Sequence, residues 1–70
     1  MNWDDLRYLE AIARLASVGG AARELGVSAS TVYRRIHALE RSVGELCVVR
    51  GAGPAALTDR GRALARVGRE

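Results

Sequence analysis

The chain has 70 residues, 49% of them hydrophobic, with a formal charge of +3 and a pI near 10.0. This length supports one domain, since a chain of this size buries only about 60% of its unfolded surface. The apolar content argues against disorder, and neither a transmembrane-length apolar run nor a secretory signal is expected.

From the N-terminus, Leu6, Leu9, Ile12, Ala13 and Ala16 recur at helical spacing and predict one face of an amphipathic helix. Asn2 is a good N-cap, and Asp4 and Asp5 place negative charge in the first turn, where the helix dipole favours it. Gly19-Gly20 is expected to break the pattern. A short second helix follows through "GAARELG", with Ala21, Ala22 and Leu25 inward. Gly26 supplies the left-handed residue that ends it, and Val27 fills the corner.

Ser28 is a natural N-cap for a third helix. At about 100° per residue, Val32, Ile36, Leu39 and Val43 share one sector, while Ser30, Arg34, His37 and Arg41 share the opposite one. Gly44 ends that helix. "ELCVVR" reads as a strand, "GAGP" as a turn and "AAL" as a weak return strand. Thr58 then caps a last helix from Asp59 to about Arg69, with Ala63, Leu64 and Val67 as a thin apolar face. Gly61 and Gly68 are each expected to weaken it by about 1 kcal/mol relative to alanine. The predicted fold is mainly α: a three-helix core, a short two-stranded wing and a C-terminal helix.

Residues 21–36, "AARELGVSASTVYRRI", meet the local demands of a helix-turn-helix. Small Ala22 permits close helix approach, Gly26 the reversal, Val27 the plug and Ser28 the cap, while Val32 and Ile36 lock the second helix on the first. The chain also resembles a particular family. "MNWDDLRYLEAIA", "AARELGVSASTVYRRIHALE" and the later "LTDRG" are similar to the N-terminal winged helix-turn-helix domain of LysR-type transcriptional regulators. The resemblance implies a DNA-binding domain over residues 1–57 and a truncated linker or dimerisation helix over 58–70. It also implies a separate effector-binding domain outside these seventy residues, so no small-molecule effector is assigned to this chain.

Carried across residue by residue, the resemblance places Ser28, Ser30, Thr31, Tyr33 and Arg34 where the family's recognition helix meets double-stranded DNA. Arg50 matches the arginine at the start of the wing. Ala29 stands where the family commonly has glutamine, Tyr33 where serine is frequent, and the wing "GAGPAA" lacks the usual basic residue. Glu45 and Cys47 replace residues that are usually aliphatic.

Each residue also has a plainer reading. Arg34, central in the outward sector, is read as a base or phosphate contact over a solvated arginine. Arg35 lies about 100° further round and divides between a phosphate contact and an internal salt bridge. Ser30 and Thr31 are small enough for close groove approach, and Ser28 is foremost a cap. Tyr33 divides between a sugar or thymine methyl and the flank of the first helix. His37 and Arg41 read as solvated, and Trp3 and Tyr8 as core edge or dimer surface. Cys47 reads as a small buried hydrophobe.

All eleven basic residues are arginine, which matches a GC-rich coding background, and the basic excess weakly favours a polyanionic partner. One cysteine and one histidine make neither a disulfide nor a zinc site. No nucleophile–base pair or phosphate loop suggests an enzyme, and no cofactor is expected. A cytoplasmic setting and at most a weak homodimer through the C-terminal helix complete the expectation. The rival reading is a protein-interaction module that keeps the winged helix but no longer reads sequence.

Overall fold

The computed structural model describes residues 2–49 and 54–69. Its elements are α1 (Trp3–Leu15), α2 (Val18–Leu25), α3 (Ala29–Val43), β1 (Val48–Val49), β2 (Ala56–Leu57) and α4 (Asp59–Arg69). Side-chain oxygens satisfy the first free amides of every helix. Asn2 accepts from Asp4 N–H at 3.0 Å, Ser17 from Gly20 at 2.9 Å, Ser28 from Thr31 at 3.2 Å and Thr58 from Gly61 at 3.0 Å. α1, α2 and α3 end on left-handed residues: Ala16 (φ 52°), Gly26 (φ 70°) and Gly44 (φ 78°).

Ala16 takes this conformation without glycine's freedom, against a steric cost of about 1–2 kcal/mol. Its carbonyl accepts the Ala55 amide at 3.2 Å, so the strained corner joins α1 to the return strand. Two expectations for this region are corrected. Gly19 and Gly20 do not break the helical pattern; they lie in the first turn of α2, which Ser17 starts, and the break falls at Ala16–Ser17. Ala13 and Ala16 are exposed, and the buried face of α1 is Asp5, Leu6, Leu9, Ala11 and Ile12.

The core is built from Leu6, Leu9, Ile12, Val32, Ile36, Leu39 and Cys47, all fully buried. α1 lies at its centre, touching α2, α3, β2 and most extensively α4. β1 and β2 pair antiparallel, Val48 opposite Leu57 and Val49 opposite Ala56. The first pair faces the core and the second faces out.

α4 departs most from expectation. Its buried residues are Gly61 and Ala65, while Ala63 and Leu64 are half-buried and Val67 is exposed. A Cβ on Gly61 would stand 2.0 Å from the Cys47 carbonyl oxygen, and one on Gly68 would stand 2.8 Å from that of Leu6. The two glycines are therefore the points where α4 meets other backbone directly. Their low helix propensity is the smaller effect.

Gly61→Ala should destabilise the domain by about 3 kcal/mol, because the opposing atom is a backbone carbonyl that cannot swing aside. The melting temperature should fall by more than about 10 °C. Gly19, with only ordinary contacts around an added Cβ, should behave oppositely. Gly19→Ala should gain roughly 0.5–1 kcal/mol in the same thermal melt.

Candidate nucleic-acid interface

The α2–α3 corner follows from four residues. Gly26 reverses the chain, and its N–H points to the Ala22 and Arg23 carbonyls. The Val27 amide reaches the Ala22 carbonyl at 3.0 Å, and its side chain packs on the core. Ser28 then starts α3. Ala21 and Ala22 are both buried, and their small size lets α3 lie close to α2. With Val32, Ile36 and Leu39 inward, α3 turns Ser30, Arg34, His37 and Arg41 to solvent.

Ion pairing sorts the arginines. Arg7 pairs with Asp4 at 3.8 Å, and Arg60 pairs with Glu45 at 3.0 Å. Arg62 pairs with Asp59 and also donates to the Leu57 carbonyl. Arg14 bridges Glu10 and Glu24, joining α1 to α2. That contact holds the Glu24 carboxyl below the usual range and pushes the Arg14 guanidinium up. Arg34 and Arg41 on α3 make no ion pair among the described residues, and neither do Arg23 on α2 or Arg66 and Arg69 on α4. Unspent positive charge on α3 is thus concentrated on its outward face.

The predicted site residues are distributed unevenly. Ser30 and Arg34 stand exposed on that face, and Tyr33 lies beside them, 44% exposed. Ser28 is occupied as the cap, its hydroxyl also 3.1 Å from that of half-buried Thr31. Arg35 turns toward α1, where its Nη1 is 3.6 Å from Asp5 Oδ1 and its guanidinium lies 5.8 Å from the Tyr8 ring centre. The internal ion pair weighed for Arg35 is therefore formed. Arg50 and the 51–53 turn lie outside the described residues. Trp3 is 68% exposed and not at the core edge, whereas Tyr8 packs on the core.

Two buried carboxylates escaped the sequence reading. Asp5 is one. The other, Glu40, accepts the amides of Cys47 at 2.9 Å and Val48 at 3.3 Å through one carboxylate oxygen. It thereby joins the C-terminal half of α3 to the wing. Both had a signal: Asp5 precedes Leu9 by one helical turn, and Glu40 follows Ile36 by one, so each borders an apolar stripe. Cys47 is fully buried, and burial pushes its thiol pKa up with Glu40 adding to the effect. Among the described residues no acid, cysteine and histidine cluster could hold a metal ion, and no helix is long and apolar enough to cross a membrane.

Residues 3–62 match the family described as bacterial regulatory helix-turn-helix protein, lysR family. The chain belongs to the LysR family. It is 44% identical over 64 residues to the HTH-type transcriptional regulator TfdS of Cupriavidus pinatubonensis, covering 91% of this chain and 22% of that regulator. Full-length LysG from Corynebacterium glutamicum, solved with bound effector Arg, superposes with a TM-score of 0.91 at 38% identity, covering 99% of this chain and 23% of LysG. The CbnR DNA-binding domain in complex with DNA superposes with a TM-score of 0.90 at 30% identity, over 99% of this chain and 79% of that domain. This LysR-family chain thus spans about a fifth of the curated regulator's length and most of a solved DNA-binding domain. Its mainly α winged helix-turn-helix is the fold of such domains.

Glu40→Ala should cost about 1.5–3 kcal/mol, because it strands two wing amides that a charged acceptor now holds. Glu40→Gln keeps an accepting oxygen and should cost less. Urea denaturation ranks the two variants, and faster hydrogen exchange at the Cys47 and Val48 amides locates the damage.

Proposed function

We propose that this chain binds double-stranded DNA sequence-specifically as the reading head of a bacterial transcriptional regulator. α3 enters the major groove and binding, not chemistry, is its mechanism. The observation that carries this reading is the outward row of α3, where Ser30, Arg34, His37 and Arg41 are exposed and both arginines lack an ion pair among the described residues. Arg34 and Arg41 thus present two unpaired guanidiniums in one exposed row of a single helix, the charge that a polyanionic partner would meet. The solved complex of CbnR's domain with DNA supports the same direction.

In this reading Arg34 donates to a guanine edge or an adjacent phosphate, and Ser30 and Thr31 permit close approach. Tyr33 packs on a sugar or thymine methyl. Ser28 and the start of α3 meet a phosphate, Arg35 reaches another when it leaves Asp5, and Arg50 anchors the wing. The domain works without a cofactor and in the cytoplasm, and residues 58–70 act as the linker helix of a longer regulator. Effector binding belongs to that longer protein.

Titration with an enriched duplex pool and a random-sequence duplex at two salt concentrations tests this proposal. The slope of log K against log salt should be about −3 to −5 per domain, matching the phosphates within reach. Equal affinity for both duplexes, or no binding at low salt, would favour the protein-interaction module. Arg34→Ala should weaken cognate binding by roughly 1–3 kcal/mol with an unchanged circular dichroism melt.

Assembly is the second part of the proposal. Leu64 is half-buried on its own core, which leaves Val67 as the exposed large apolar side chain of α4 and little apolar surface for a partner. The 70-residue chain should sediment as a monomer or weak dimer at micromolar concentration. A tight dimer that Leu64→Asp disrupts would show that α4 suffices for pairing.

A further inference from the structure

We infer that Asp5 is a positioning residue that sets the domain's general affinity for DNA: it holds Arg35 on the body of the domain and so restrains a phosphate contact that carries no sequence information. This rests on the proposed DNA-facing role of α3 and concerns how that face divides its labour.

The Asp5 side chain is 8% exposed, and its Oδ1 receives no hydrogen bond among the described residues. Arg35 Nη1, at 3.6 Å, is the cation that faces it. A buried carboxylate stripped of its cation is strongly disfavoured, so movement of Arg35 to DNA leaves Asp5 in an unfavourable state. The tether is nevertheless a bias and not a lock. Its separation exceeds a normal hydrogen bond, and the Arg35 side chain is 42% exposed beside the Tyr8 ring. A phosphate can compete for it.

Arg34 and Arg35 are adjacent in sequence yet differ in this respect. Arg34 stands free on the outward face, whereas Arg35 is committed to α1. Phosphate contacts strengthen binding to any duplex, while base-edge contacts discriminate among duplexes. Restraining the flank arginine lowers affinity for random and cognate duplexes by the same factor, because the phosphate contact is common to both. Asp5 touches no DNA in this scheme and acts through Arg35.

The test uses Asp5→Asn, Arg35→Ala and their double variant, each titrated across salt on random and enriched duplexes. Asp5→Asn keeps the side-chain shape and removes the charge. Its salt slope should steepen on both duplexes by up to about 0.9, the equivalent of at most one added phosphate, and affinity for both should rise several-fold with their ratio unchanged. In the Arg35→Ala background the same substitution should change neither quantity. Tyr8→Leu, which removes the ring beside the guanidinium, should move the slope in the same direction by less, and serves if Asp5→Asn does not fold. An unchanged slope in the folded variants overturns the inference. A gain that persists without Arg35 also overturns it, since simple loss of a negative charge then explains the effect. Failure of the parent protein to bind any duplex at low salt removes the DNA reading itself, whereas specific binding with an unmoved slope removes only the tether.

Discussion

Side chains normally keep a helix and its neighbours apart, but at Gly61 the backbone of α4 lies directly against the Cys47 carbonyl. That carbonyl also accepts the Thr58 amide at 3.0 Å, so a single peptide group both starts α4 and limits how near it can come. With Gly68 against Leu6, the helix is seated at both ends on backbone. A domain of 70 residues has few large side chains to spend, and this close seating lets Ala65 be a sufficient buried side chain for α4. The rest of the core, including α1 beneath it, is sealed by that contact.

On this closed body, α3 is held from two sides. Glu40 binds the first wing strand, and Arg35 reaches Asp5 on α1. The inward residues Val32, Ile36 and Leu39 set how deeply α3 sits, but apolar packing is tolerant of small rotations. The Glu40 hydrogen bonds are directional, and the Asp5–Arg35 ion pair adds a charge attraction between α3 and α1. Together they fix how far the Ser30–Arg34 row rolls toward solvent. The set of the outward α3 row therefore depends on acidic residues that lie outside that row.

The helices were legible in the sequence because each has a polar cap and because Leu6, Leu9, Ile12, Val32, Ile36 and Leu39 repeat at helical spacing. The outward row of α3 followed from the same periodicity. Ala16 was misread because alanine in the left-handed region has no sequence signature, and Gly19-Gly20 offered a more familiar stop. The buried face of α4 was illegible for a different reason. Hydrophobicity identifies surfaces that bury side chains, but Gly61 and Gly68 bury backbone. Asp5 and Glu40 were read only by charge, although their spacing to Leu9 and Ile36 placed them at the edge of the core. Family resemblance supplied roles for Ser28 to Arg34, yet the pairing of Arg35 needed coordinates.

Cys47 lies beneath the start of α4, fully buried, with a thiol that its surroundings keep protonated. It is also the chain's single sulfhydryl. A thiol in that position is shielded from alkylating reagents for as long as the wing and α4 stay docked, and becomes accessible when they part. The rate at which this one native thiol is alkylated would therefore report the opening of the C-terminal segment without any engineered residue.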